Sequence, residues 1–277
     1  MTIEIRVLGP LQLSCGGVPV APSAPKPRAA LALLLLRADQ TVRVSDFVQD
    51  LWGDRPPPSM LTTLQTYILN LRKDLARALG GTASQVAETV LLTMPGGYQF
   101  AGASGHFDLT EYERLAAAGQ QALAAGRTAE AADLLALAHG QWRGPALADV
   151  RAGRVLEPEI RRLEESRLAT VEQSVEARLR LGRHAEVLAE LSGATARNRL
   201  HENLHAQFMV ALHRSGRRHE ALRVYQELRS TLRRELGLEP TRRLQALQQA
   251  IICDDRALEV VPRGDGLALL LDRLAVP

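Results

Sequence analysis

TTLQTYILNLRKDL, residues 62 to 75, is the stretch on which the reading of this chain turns. Wound at about 100° per residue, it brings Leu64, Ile68, Leu71 and Leu75 into one narrow arc, with Leu61 close by. That arc predicts a helix held to its neighbours by leucine and isoleucine. On the opposite side lie Thr62, Thr66, Leu69 and Lys73, flanked by Thr63, Gln65, Asn70 and Arg72. A merely solvated face favours Glu, Lys and Arg, whereas β-branched Thr costs helix stability. Here no acid occurs before Asp74, and Leu69 stands exposed in the middle.

A face of Thr, Gln and Asn with one apolar residue suits the major groove of double-stranded DNA. Gln and Asn can pair bidentately with adenine, and a Thr methyl or a Leu can meet a thymine methyl. Thr62, Thr63, Gln65, Thr66, Leu69 and Asn70 are therefore the candidates for base edges. Arg72, Lys73 and Arg77 would sit near phosphates, where charge adds affinity rather than sequence choice. Arg28, at the start of an earlier helix, is a further phosphate candidate, its other reading being a cap on that helix. Lys26 is a weaker one. Tyr67 borders the apolar arc and is read as packing.

Upstream, IEIRVLG (3–9) and LQLSC (11–15) alternate like strands, and Gly16-Gly17 turns into VPV. These predict a small antiparallel sheet. Pro22 to Pro27 breaks the pattern. Arg28 to Arg37 is apolar nearly all round, as a central buried helix should be. Thr41 to Trp52 predicts a second helix with Ser45 as its N-cap, stopped by GDRPPPS (53–59). Ser59 is placed to cap the third helix, which runs to about Leu79. VLLT (90–93) and YQF (98–100) then flank a Gly-Gly turn, a hairpin signal. Strands, three helices and a glycine-tipped hairpin are the order of a winged helix-turn-helix. The wing would be Pro95, Gly96, Gly97 and Tyr98, with glycine permitting close approach to the DNA backbone.

From Phe107 the strand signals vanish, and Ala, Leu, Arg and Glu recur at helical spacing. GRTAEAADLL (from Gly126), GRHAEVLAEL (from Gly182) and GRRHEALRVY (from Gly216) echo one another, the last two 34 residues apart. That is the period of tetratricopeptide helix pairs. In each, Gly ends one helix before the next begins. The chain is thus expected to be mostly α with a small β part. It divides into a winged-helix domain over 1–103, all-α helical hairpins over 107–253 and a C-terminal tail, 254–277, with no role assigned. The boundary falls in the GASG linker, 102–105.

Composition narrows the class. The chain has 277 residues, 46% of them hydrophobic, enough for a sizeable core. Its longest early apolar run, Ala29 to Leu36, is far too short to span a bilayer. The start alternates and carries Glu4, unlike a signal peptide. Cys15 and Cys253 are read as reduced thiols of a cytoplasmic protein. The net charge is +3, and Lys26 and Lys73 are the sole lysines. The arginine bias fits GC-rich coding and is no argument for nucleic acid by itself. His201-Glu202-Asn203-Leu204-His205 is a literal HExxH, the zinc-hydrolase pattern. Phe208 and Ala211 stand where an extended metzincin motif needs Gly and His, and the apolar stripe Leu200, Leu204, Phe208 and Ala211 reads as a repeat helix. No enzymatic activity, metal or cofactor is expected. Trp52 and Trp142 are read as core, and Arg161, Arg162 and Arg167 with Glu164 and Glu165 as a salt-bridged exposed helix.

KPRAALALLLL (26–36), DLWGDRPPPS (50–59) and TTLQTYILNLRKDL, with the closing GGYQF, resemble the OmpR-type winged helix and, more narrowly, the Streptomyces antibiotic regulatory protein family. FDLTEYERL, WRGPALADV, RLEESRL, LGRHAEVLAEL and the run from His201 to Pro240 resemble that family's bacterial transcriptional activation domain. The resemblance covers roughly 3 to 253. It implies a DNA-binding activator of a secondary-metabolite (antibiotic) gene cluster that binds direct repeats beside the −35 element as head-to-tail protomers and recruits RNA polymerase. In OmpR-type domains the loop before the recognition helix can touch polymerase. Here that loop is Gly53, Asp54, Arg55, Pro56, Pro57, Pro58 and Ser59, and its prolines would reduce the entropy lost on docking. No GxxxxGK[ST] nucleotide loop occurs. A helical-hairpin adaptor whose first domain does not bind DNA is the alternative reading.

Overall fold

A computed structural model describes residues 3–101 and 105–259, with Leu267, Leu271 and Leu274 beyond them. The linker boundary at 102–104 and most of the C-terminal tail lie outside the described residues. The chain forms two compact units: Met1–Arg114 with Ala138–Leu168, and Leu115–Leu137 with Ala169–Pro277.

The first unit opens with β1 (Ile3–Arg6), β2 (Gln12–Cys15) and β3 (Val18–Pro19). β1 and β2 pair antiparallel, Ile5 opposite Leu13, and their alternation buries Ile3, Ile5, Leu13 and Cys15. A further strand, β7 (Gly105–Phe107), lies parallel to β1 and gives the sheet order β3-β2-β1-β7. The sequence reading missed it, since three residues are too few to show a period. Gly105 is required there, because an added Cβ would sit 1.9 Å from the Ile3 carbonyl oxygen.

The helices are α1 (Pro25–Leu36), α2 (Val44–Trp52), α3 (Met60–Leu79) and α4 (Ala83–Thr89). Every residue from Ala29 to Leu35 in α1 is buried. Three expectations about ends need correction. Helix α1 begins at Pro25, three residues earlier than expected, because first-turn N–H groups have no intrahelical partner and Pro loses nothing there. Ser45 lies inside α2, whose N-cap is Arg43, so Ser45 caps nothing. Ser59 does occupy the α3 cap position, but its side chain makes no capping bond. The short α4 was not anticipated. It is set by a capping box, Thr82 accepting from the Gln85 amide and Gln85 from the Thr82 amide. The hairpin follows as β5 (Leu91–Met94) and β6 (Gly97–Phe100), and β4 (Val42–Arg43) adds to β6 in the order β4-β6-β5.

Residues 138–168 complete this unit. Trp142 meets Tyr112 edge-on at 5.4 Å, with the Arg167 guanidinium 4.8 Å from its ring. Arg143 and Leu147 donate their amides to the Leu8 and Val7 carbonyls, and Asp149 accepts from the Leu11 amide. Asp108, buried at the start of α5 (Asp108–Ala124), accepts from the Val7 and Leu8 amides.

The second unit comprises the remainder of α5, α6 (Thr128–Gly140) as far as Leu137 and α7 (Leu156–Arg180) from Ala169, then α8 (Leu188–Arg197), α9 (Glu202–Arg214), α10 (Arg218–Leu236) and α11 (Arg242–Cys253). Gly126, Gly182 and Gly216, the three echo glycines, share a φ of +75°, the left-handed turn that ends a helix. After Gly182 the next helix is delayed to Leu188. Arg214 donates to the Leu179 and Leu258 carbonyls, and Leu258, Leu267 and Leu271 are buried.

His205 is 7% exposed, and burial pulls its imidazole below its ordinary pKa. A folded state that holds the neutral form has its full stability above the unfolded pKa of about 6.5 and loses it as pH falls toward the depressed folded value. Urea unfolding followed by circular dichroism should therefore give a lower midpoint at pH 5.5 than at 7.5, and His205→Gln should shrink that difference. An unchanged difference would remove His205 as its source.

Candidate nucleic-acid interface

Helix α3 ends on Gly80, which takes the left-handed cap at φ +69°. Leu64, Ile68, Leu71 and Leu75 are each at most 1% exposed, so the apolar arc packs inward as its spacing requires. The other face is open. Thr62, Gln65, Thr66, Asn70 and Lys73 are exposed, Leu69 is 46% exposed, and Thr63 is half-buried. The Thr66 hydroxyl donates to the Thr62 carbonyl at 2.8 Å, so one of its polar groups is already satisfied by the helix itself. Lys73 has no ion pair among the described residues. Asp74, the first acid of the helix, is paired with Arg77 at 3.0 Å. The Arg77 side chain remains 79% exposed.

The four phosphate candidates do not share one environment. Arg28 donates to the Pro22 and Leu11 carbonyls and pairs with Asp149, and its side chain is only 13% exposed. Its charge is spent inside the unit, where it ties α1 to residues 11 and 149. Arg72 is also engaged. Its Nε and Nη2 donate to the Leu91 carbonyl at 2.9 and 2.7 Å, and Nη2 reaches the Thr93 hydroxyl at 2.7 Å. The guanidinium lies 6.0 Å from the Tyr98 ring centre, and burial lowers its pKa from the usual arginine value. Arg72 thus clasps the hairpin to α3. Among the described residues Lys73 is left as the unpaired cation of this helix, and Arg77, though paired with Asp74, stays largely exposed.

The wing residues divide likewise. Pro95 and Gly96 form the exposed two-residue tip, Gly96 at φ +76°. Pro followed by a positive-φ Gly is the chemistry of a type II turn. Gly97 is buried, and a Cβ there would lie 2.2 Å from the Val42 carbonyl oxygen. Tyr98 is half-buried, edge-on to Phe47 at 6.1 Å. Only Pro95 and Gly96 of the four are presented at the tip. Sequence reasoning missed Arg43. It is exposed, pairs in register with Gly97 and is the N-cap of α2, so it stands beside the wing. Nothing but that strand register marks it.

The loop Gly53–Ser59 is braced on the same unit. Arg154 binds Asp54 through two nitrogens, at 2.8 and 2.5 Å. One turn earlier, Asp50 accepts from the Val155 and Leu156 amides and so caps α7. Gly153 fits against the Asp50 carbonyl with no room for a Cβ. Arg55, Pro56, Pro58 and Ser59 are exposed, and Pro57 is half-buried.

In the HExxH stretch, His201 is the N-cap of α9, accepting from the Leu204 amide, and the His205 ring nitrogen bonds the His201 carbonyl at 2.9 Å. Among the described residues no three His, Cys, Asp or Glu side chains are grouped to hold a metal, and no helix is long and apolar enough to cross a membrane.

Residues 107–252 match the family model for the bacterial transcriptional activator domain. Regulatory protein DnrI of Streptomyces peucetius is 47% identical over 271 residues, covering 96% of this chain and all of that one. Regulatory protein AfsR of Streptomyces coelicolor is 40% identical over 257 residues, 92% of this chain and 25% of the relative. The solved structure of Mycobacterium tuberculosis EmbR in complex with a low-affinity phosphopeptide superposes with a TM-score of 0.82 at 31% identity, over 99% of this chain and 69% of that one. These relatives are regulatory proteins, and EmbR shares the arrangement of a winged helix and a helical domain. The chain belongs to the Streptomyces antibiotic regulatory protein family of transcriptional activators.

Proposed function

We propose that this chain binds direct-repeat sequences in double-stranded DNA through α3, and that it recruits RNA polymerase to the promoters of a secondary-metabolite cluster in the cytoplasm. The observation that carries the reading is the open face of α3. Thr62, Gln65, Thr66, Leu69 and Asn70 form a surface with neutral donors, acceptors and apolar spots, and its one acid is neutralised by Arg77. Thr63 is the half-buried margin of that surface. Lys73, Arg77, Arg43 and the Pro95-Gly96 tip surround it, and we assign them to the phosphate backbone. Head-to-tail protomers on repeats about one helical turn apart, roughly 10 bp, would put successive α3 helices on one face of the duplex. Helical hairpins over 107–253, with the winged helix before them, serve as the activating part.

Gel-shift titrations across salt on a promoter of the neighbouring cluster test the assignment. Asn70→Ala or Gln65→Ala should cost about 1–3 kcal/mol at one base pair and relax preference there. Lys73→Ala should weaken all sequences alike and reduce the salt slope by about one. Sequence preference untouched by both base-edge substitutions would sink the placement of α3.

Arg72→Ala should act differently from a lost phosphate contact. Hydroxyl-radical footprinting should show protection lost where the wing lies while protection under α3 persists, and the salt slope should stay unchanged. A slope reduced by a full unit would return Arg72 to the backbone.

The loop Gly53–Ser59 is assigned to polymerase because it is exposed, proline-stiffened and braced by Arg154. Its ordering cost on docking is already met. Arg55→Ala should lower transcript yield several-fold in a purified transcription assay while the gel shift is unaltered; equal yield would remove the loop from the contact.

A further inference from the structure

Beside that loop lies a cavity of about 740 Å³, within the size range of small-ligand sites. Its walls come from the start of α1, the end of α2, the flank of α3 and residues 151–152, all within the first unit. Two aromatic rings line it, Trp52 and Tyr67, both half-buried. Lys26, Arg55 and Arg151 line it too, and none of these cations has an ion pair among the described residues. The contrast with the surrounding chain is informative. Asp54 next to Arg55 is matched by Arg154, and Arg28, two residues after Lys26, is matched by Asp149. Lys26 holds its ammonium 5.1 Å from the Trp52 ring centre, so charge and ring form one wall.

The remaining polar group is Asp50, 8% exposed, whose Oδ1 caps α7. Its Oδ2 is buried without a hydrogen-bond partner. A buried carboxylate oxygen with no donor is costly and rare. That oxygen is sealed from solvent, so nothing in the cavity reaches it. The cavity itself offers two aromatic rings and an excess of positive charge. A bare phosphate would leave the rings unused. A planar ring bearing a carboxylate uses both.

We propose that this cavity is an effector site for an aromatic carboxylate. The carboxylate is held by Arg151, Arg55 and Lys26, and the ring lies along Trp52 and Tyr67. Occupancy would fix Tyr67 on the flank of α3 and Arg55 in the loop, so one ligand touches both elements assigned to DNA and polymerase. Binding itself requires neither assignment and is measured without DNA.

Isothermal titration of the full chain with 2-naphthoate, uncharged 2-naphthol and inorganic phosphate tests this. The expected result is one 2-naphthoate per chain, about tenfold weaker binding of 2-naphthol, and no comparable binding of phosphate. Arg151→Ala, on an exposed residue, should weaken the naphthoate about tenfold. Lys26→Met should do the same. Absence of saturable binding, affinity unchanged by Arg151→Ala, or phosphate binding as tightly as the naphthoate would each overturn the proposal.

Discussion

A single buried carboxylate organises the start of this chain. Asp108 lies 101 residues after Val7 in sequence, yet it accepts the amides of Val7 and Leu8 just where β1 stops. Those amides would otherwise be buried donors without acceptors, a cost of about 1–3 kcal/mol each. The same residue opens α5. Asp149 and Asp50 repeat the device, taking the Leu11 amide and the first amides of α7. Aspartate from one stretch finishes the hydrogen bonding of another, and this is why residues 138–168 belong to the compact unit that carries the winged helix.

Against that scaffold the outer face of α3 needs no support from its own side chains. Its four inward residues are fully covered, and its wing is held from the side by Arg72. Exposed Thr, Gln and Asn can then be spent on a ligand surface, although Thr and Asn are poor helix formers. The membership shown by the relatives and the chemistry of this face point the same way, from independent starting points.

Much of this was legible in the residues. The 3.6-residue spacing of Leu64, Ile68, Leu71 and Leu75 marked both faces of α3, and the recurrent Gly-Arg marked the left-handed turns at Gly126, Gly182 and Gly216. What stayed hidden had no period to show. β4 has two residues and β7 three, and they exist through pairing with distant strands. Proline at the head of α1 reads as a breaker, although the first helical turn tolerates it. Arginine was the least legible residue. Arg28, Arg72 and Arg77 look alike in sequence, and only their surroundings separate a buried tie, a clasp and an exposed ion pair.

The Arg72 clasp has one more consequence. Because the guanidinium binds the Leu91 carbonyl, the Thr93 hydroxyl and the face of Tyr98 together, α3 and the hairpin tip are jaws set at one separation. If α3 occupies the major groove, that separation meets a duplex whose groove widths vary with sequence. Steps whose geometry fits the gauge bind without deformation, and those that do not must be bent to fit. The chain would then discriminate among base pairs that none of its side chains reaches.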